Sequence, residues 1–137
     1  MDQRPLVGTG VFVMKDGKFV VIRRKSSHGK GSWGLAGGHL EYGESFEECA
    51  AREVREEVGL EIENVSVLGV TNTVFEDERK HYVTVFLKSD YAAGNAELME
   101  PEKHDALRWV SWDKMPESRF AMLDAFMKQN NESCLTA

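Results

Sequence analysis

Cysteine is scarce: Cys49 and Cys134 are the two in the chain. They share no metal-binding or redox spacing and read as reduced thiols, Cys49 as a small hydrophobe in a helical pattern, Cys134 in a polar stretch. No apolar run approaches the length of a membrane span, so no membrane partner is expected. The opening Met1-Asp2-Gln3-Arg4-Pro5 has no signal-peptide architecture, which makes a cytoplasmic location the expectation. There is no internal repeat, low-complexity tract or linker. Basic charge is also short, with 17 Lys and Arg against 23 Asp and Glu and a net charge of −6. That balance argues against a polymeric nucleic acid as partner, because such binders present a basic face. It leaves phosphate chemistry open, since carboxylates can hold divalent cations and the cations can hold phosphates. From composition alone, solubility explains the acidity equally well.

What remains is ordinary for a globular domain: 137 residues, 42% hydrophobic and 29% charged. That length suits one compact domain, taken as residues 1–128, with 129–137 as a flexible tail. Leu6 to Met14 reads as a strand, Lys15-Asp16-Gly17-Lys18 as a hairpin turn, and Phe19 to Arg24 as the returning strand. Ser26 to Ser32 is a Gly- and Ser-rich loop. An extended segment resumes at Trp33. Gly37-Gly38 marks a tight turn, and His39 to Tyr42 reads as a short strand. Ser45 followed by Glu48 makes a capping box, so a helix is expected over Phe46 to Val58, stopped by Gly59. Val65 to Phe75 and His81 to Lys88 read as strands, Ala92 to Asp105 as a loop, Leu107 to Trp112 as a strand. Arg119 to Lys128 reads as an amphipathic helix. The fold class is α+β, a mixed sheet with helices packed on it.

The chemistry concentrates in Gly38 to Leu60. On the expected helix, Glu53, Glu56 and Glu57 fall within an arc of roughly 100°. Like charges at these spacings destabilise a helix by roughly 0.2–0.5 kcal/mol per pair. A divalent cation such as Mg²⁺, which takes hard oxygen ligands, would offset that repulsion. A solvated acidic face neutralised by Arg52 and Arg55 would explain Arg-Glu-X-X-Glu-Glu by itself equally simply. The surrounding residues shift the balance: a double glycine before the helix, Glu44 just ahead of the cap, and Gly59 at its end.

With those residues in place, the stretch resembles the Nudix box. Gly38, Glu44, Arg52, Glu53, Val54, Glu56, Glu57, Gly59 and Leu60 match every fixed position. The flanking segments Gly37 to Glu44, Phe46 to Ala50, His81 to Thr84 and Glu100 to Lys103 are similar to the MutT-like branch that holds small mammalian and plant enzymes. The likeness covers about residues 6 to 126. It implies a Nudix fold, a mixed sheet sandwiched between helices, and a metal-dependent hydrolase acting on a phosphoric anhydride bond. It further implies Mg²⁺ (or Mn²⁺) held by Glu53 and Glu57 with Glu56 close by and the Gly37 carbonyl joining. Arg52 would orient a carboxylate, and Glu44 would support the helix and the metal ligands from behind. Glu53 or Glu56 would serve as general base, with Glu100 or Glu102 as alternative base or ligand. Arg24, Gly38, Thr84 and Phe120 would contact substrate.

The branch implies a homodimer that turns a nucleoside triphosphate, a dNTP or 8-oxo-dGTP, into the monophosphate and pyrophosphate, sanitising the nucleotide pool. Other readings are a Nudix hydrolase acting on ADP-ribose or a prenyl diphosphate, and a silent nucleotide-binding module. Two departures stand out. Ala36 replaces the Pro usual before the glycine pair, and Ala121 follows Phe120 where relatives carry Trp, so a smaller pocket wall is expected. His28, His39, His81 and His104 lack metal-ligand spacing and read as surface or packing residues. Trp33, Trp109 and Trp112 read as core.

Overall fold

The computed structural model describes residues 3–136. Strand β1 (Leu6–Lys15) turns at Asp16-Gly17, both with positive φ, into β2 (Lys18–Arg24), as the Asp-Gly pair predicts. After β3 (Trp33–Gly34) come α1 (Phe46–Val58), β4 (Glu61–Phe75), β5 (Lys80–Ala93) and β6 (His104–Val110). A short 3-10 turn (Trp112–Lys114) leads to α2 (Ala121–Gln129) and α3 (Ser133–Thr136). The sheet runs β3-β2-β1-β5-β4, with β6 paired to β2. It is mixed because β1 and β5 lie parallel, Leu6 opposite Tyr82 through Met14 opposite Asp90, while β4–β5, β1–β2 and β2–β6 are antiparallel.

Period-two alternation sorts the strands onto two cores. Val11, Val13, Val20, Ile22, Val85 and Leu87 face α1 and meet Ala50, Val54 and Val58. Phe12, Phe19, Val21 and Phe86 face the other way and meet Leu123, Phe126 and Met127 of α2. The sheet is thus sandwiched between helices, as expected of a Nudix fold. Phe86 and Phe126 stack with centroids 4.5 Å apart. Truncating such a buried ring costs about 3–5 kcal/mol.

Several expectations are corrected. Gly37-Gly38 is no turn. The segment runs extended beside β1, with the Thr9 amide donating to the Gly38 carbonyl at 2.8 Å and the Val11 amide to the Ala36 carbonyl at 2.9 Å. Ala36 is buried in that pairing. His39 forms a single bridge to Gly8, and no strand follows to Tyr42. Strand β4 starts at Glu61 rather than Val65, and β5 runs on to Ala93, because register shifts let the long hairpin stay paired past polar residues. Past α2, α3 lays Leu135, buried, against the α2 core. No helix among the described residues is long and apolar enough to cross a membrane.

Candidate active site

Local sequence fixes α1 at both ends. The Ser45 hydroxyl accepts from the Glu48 amide at 3.0 Å, and the Glu48 carboxylate accepts from the Ser45 amide at 2.8 Å. Gly59 closes the helix in left-handed geometry at φ 71°, its amide donating to the Arg55 carbonyl at 3.1 Å. The last carbonyls are taken by the 94–103 loop after β5, where the Glu97 and Met99 amides donate to the Val58 and Glu57 carbonyls.

Arg52 organises the carboxylates on this helix. Its Nε and Nη2 grip Glu44 at 2.6 and 3.0 Å, its Nη1 donates to Glu53 at 2.6 Å and to Glu56 at 3.3 Å, and Nη2 also reaches the His39 carbonyl. The forked bond from Arg52, with the Glu41 backbone amide adding to it, holds the Glu44 carboxyl down at about 2. The carboxylates around Arg52 raise its own pKa, the Glu44 bond most of all.

Glu57 is the opposite case. Burial pushes its carboxyl up to about 8; the Gly37 amide, 2.9 Å away, works against that rise, and the Glu53 and Glu100 charges add to it. Burial also raises Glu53, with Arg52 opposing and Glu56 and Glu100 reinforcing. The two glycines are demanded by close approach. A Cβ on Gly37 would lie 2.0 Å from the Thr9 carbonyl oxygen, and one on Gly38 would lie 2.2 Å from a Glu53 carboxylate oxygen.

The structure therefore brings together Arg52, Glu53, Glu57, Glu44, Gly37 and Gly38, and adds Glu100 through its charge on both buried carboxylates. Glu56 sits at the half-exposed margin of this group. Glu102 is exposed and does not join it; its charge acts on His104 instead. Among the described residues no three His, Cys, Asp or Glu side chains converge as a ready-made ligand cage. The donor set nonetheless fits a hard divalent cation. A buried carboxylate destabilised by two neighbouring carboxylates gains from a cation that takes few protein ligands and fills its remaining positions with water and phosphate oxygens.

Beyond Gly37 and Gly38 opens a cleft of about 730 Å³ including its mouth. Arg24, Gly38, Thr84 and Phe120, the candidates for substrate contact, all line it. The Arg24 Nε donates to the His28 carbonyl at 2.8 Å, and its guanidinium lies 4.2 Å from the centre of the Phe120 ring. Burial lowers the Arg24 pKa while the Glu57 charge opposes that shift, which links this wall to the carboxylates. The Thr84 hydroxyl is turned to the Met122 sulfur.

Residues that sequence reasoning set aside complete the cleft. His39 stacks on Tyr82 at 5.7 Å, and His28 meets the Phe120 ring edge-on at 5.4 Å and contacts Glu78 through Nδ1; Phe75, outside the lining, backs Phe120 with ring centroids 6.1 Å apart. His104 is 5% exposed and lines the cleft, and burial, with Arg24 and Lys103 beside it, lowers its pKa to about 4. An unpaired buried polar group costs about 1–3 kcal/mol, and both the His104 Nδ1 and the His28 Nε2 are in that state. A hint for His28 lies in Gly29, whose positive φ and closeness to Phe120 mark a loop packed tightly onto the helix start. The tryptophans are core as expected: Trp33 is buried, Trp109 packs on the α1 core, and Trp112 stacks on Phe12. Ala121 is exposed and does not line the cleft, so the smaller wall expected there is absent from the lining, and Met122 serves instead.

A cleft that ends on helical carboxylates behind a Gly-Gly edge, set in this mixed sheet, is the architecture of one family. Residues 4–129 match the NUDIX domain, and the chain belongs to that family. It is similar to an ADP-ribose pyrophosphatase of Methanocaldococcus jannaschii, 34% identical over 72% of this chain and 59% of that protein. It is also similar to an NAD-capped RNA hydrolase, NudC, of Pseudomonas aeruginosa, 32% identical over 85% of this chain and 40% of that one. The chain thus spans roughly half the length of these relatives. Among solved structures it resembles a MutT NUDIX hydrolase from Burkholderia pseudomallei, with a TM-score of 0.84 at 30% identity over 93% of this chain and 99% of the other.

Proposed function

We propose that this chain is a divalent-metal-dependent Nudix hydrolase that cleaves a nucleoside triphosphate, a dNTP and among them 8-oxo-dGTP, to the monophosphate and pyrophosphate. The observation that carries the reading is the aromatic-lined cleft opening directly onto Gly37-Gly38, behind which lie Glu53 and Glu57. Such a cleft suits a flat heterocycle at one end and phosphates at the other. Glu53, Glu57 and the Gly37 carbonyl, with Glu56 beside them, would hold Mg²⁺ or Mn²⁺. The ion supplies activation of the attacking water and neutralises charge on the leaving phosphate. Glu56, half exposed and bonded to Arg52, or Glu100, on the facing loop, takes the proton. Arg52 and Glu44 act by positioning: the forked bond fixes Arg52, which in turn fixes Glu53. Arg24 faces the substrate's negative charge from the opposite wall, and Phe120 offers a ring face.

A pool-sanitising role in the cytoplasm follows from that substrate class. The long edge strand β4 leaves Val67, Val70 and Val74 exposed, and an open apolar edge is what a second copy would cover, which supports the homodimer. Sedimentation as a 15.5 kDa species would remove that part of the proposal.

The second reading is ADP-ribose as substrate, favoured by the likeness to the Methanocaldococcus jannaschii pyrophosphatase. The experiment is steady-state hydrolysis with Mg²⁺ over dGTP, 8-oxo-dGTP, dATP, dCTP, ADP-ribose and a prenyl diphosphate, with products resolved. Pyrophosphate from dNTPs at the highest kcat/KM is expected. Higher efficiency on ADP-ribose, giving AMP and ribose 5-phosphate, replaces the first reading with the second. Binding without turnover of any substrate would make the chain a silent module, against which the intact Glu53, Glu56 and Glu57 speak.

A further inference from the structure

Two imidazoles in the cleft have no part in the reaction described above. His104, on β6, pairs across from Arg24 on β2, is withdrawn from solvent and lines the cleft, yet its Nδ1 meets no hydrogen-bond partner among the described residues. His28 lines the same cleft with its Nε2 buried and equally without a partner. An imidazole packed for structure alone ordinarily gives a ring N–H to a carbonyl or carboxylate, and that bond fixes its tautomer. The His28 Nδ1 has such a contact in Glu78. The His104 Nδ1 has none. The charged groups beside it, Arg24 and Lys103, do not bond it.

We propose that His104 is a specificity-determining residue that hydrogen-bonds the edge of the heterocycle held in this cleft. The Nδ1 is enclosed, so Nε2 is the nitrogen that meets the ligand; because no bond fixes the tautomer, it can donate to an exocyclic carbonyl or accept from an exocyclic amine. A neutral imidazole adds directional bonding without charge, which suits a base edge, whereas Arg24 beside it supplies the charge a phosphate needs. His104 would therefore let the cleft gain a bond from oxo- and amino-purines alike. The inference rests on the nucleotide reading above and names how that site recognises its base.

The test compares wild type, His104→Leu and His104→Gln on dGTP, dATP and the deoxynucleoside triphosphate of unsubstituted purine, with Tm of each protein. Loss of one neutral hydrogen bond predicts that His104→Leu lowers kcat/KM about tenfold for dGTP and dATP but less than about twofold for the unsubstituted purine. His104→Gln, which keeps both a donor and an acceptor, retains most of the activity. Tm of the free His104→Leu protein stays at or above that of wild type, since no bond is lost. Equal losses on all three substrates, no loss on any, or a fall in Tm that His104→Gln shares overturns the inference. If wild type hydrolyses these nucleotides and His104→Leu matches it, only this inference fails. If wild type hydrolyses none of them, the nucleotide reading fails first and takes the inference with it.

Discussion

The two walls of the cleft are built in opposite ways. On the α1 wall, Arg52 holds Glu44, Glu53 and Glu56, and the Gly37 amide holds Glu57. The whole array lies within one helix and the segment before it. On the opposite wall, His28, Tyr82, His104 and Phe120 come from four separate parts of the chain, and two ring nitrogens have no partner among the described residues. The first wall is set before any ligand arrives; the second has bonding capacity left over for one. In the proposed reading chemistry falls on the satisfied wall and recognition on the unsatisfied one, which would let the two change independently.

The largest expected effect breaks the α1 wall. Glu57→Gln removes a charge that a hard cation needs and is expected to lower kcat about 10³-fold, each tenfold being about 1.4 kcal/mol of barrier. Circular dichroism should show the fold intact, because the amide can still accept from the Gly37 N–H. Turnover within a few fold of wild type would show that the ion is held elsewhere. Next comes the recognition wall: Phe120→Ala should raise KM about tenfold for nucleotides and leave kcat within about threefold, the scale of base stacking on one ring. A drop in kcat without a change in KM would place Phe120 in the chemistry and erase the division between the walls.

The smallest effect is in the pH dependence of the metal-free protein. The Glu57 carboxyl is raised to about 8, so the stability it contributes is complete below its ordinary value and is lost as pH climbs through about 8. Tm without metal is expected to fall between pH 5 and pH 9 by about 5 °C, the scale of 1 kcal/mol in a domain of this size. Glu57→Gln should flatten that slope. Mg²⁺ should raise Tm more at pH 8 than at pH 5.5, since binding must displace the proton. A slope unchanged in the variant would assign it to other groups.

The same division explains what was legible in the sequence. Ser45, Glu48 and Gly59 write the ends of α1 within a dozen or so residues, and the Arg-Glu-X-X-Glu-Glu spacing writes its active face, so local rules suffice. The hairpin at Asp16-Gly17 was readable for the same reason. Gly37-Gly38 was misread as a turn because a pair of glycines signals either a reversal or a close approach. What the glycines accommodate, the Thr9 carbonyl and the Glu53 carboxylate, is distant in sequence. His104 looked like a packing residue because its place beside Arg24 depends on β2 pairing with β6 across 80 residues of chain. Glu100 and Glu102 were equivalent candidates until the 94–103 loop bonded to the end of α1 and brought only the first to the carboxylates. Leu135 sat in a polar stretch, and nothing local indicated the groove that receives it.

The parallel pairing of β1 with β5 also sets the order in which the chain can assemble. β1 is made with Val11 and Val13 on one face and Phe12 on the other, and its central partner β5 follows only after α1 and β4. The β1–β2 and β4–β5 hairpins close over short loops, whereas the seam between them must wait for a long loop to close, which is the slow kind of step. Refolding is expected to protect amides of the two hairpins before those between β1 and β5, as pulse-labelled hydrogen exchange would reveal. Simultaneous protection across the seam would mean that the sheet condenses as a unit. Since Gly38 bonds to Thr9 on β1 while Tyr82 and Thr84 come from β5, the cleft is complete no earlier than that seam, and a half-made chain carries the carboxylate helix with nothing yet to aim it at.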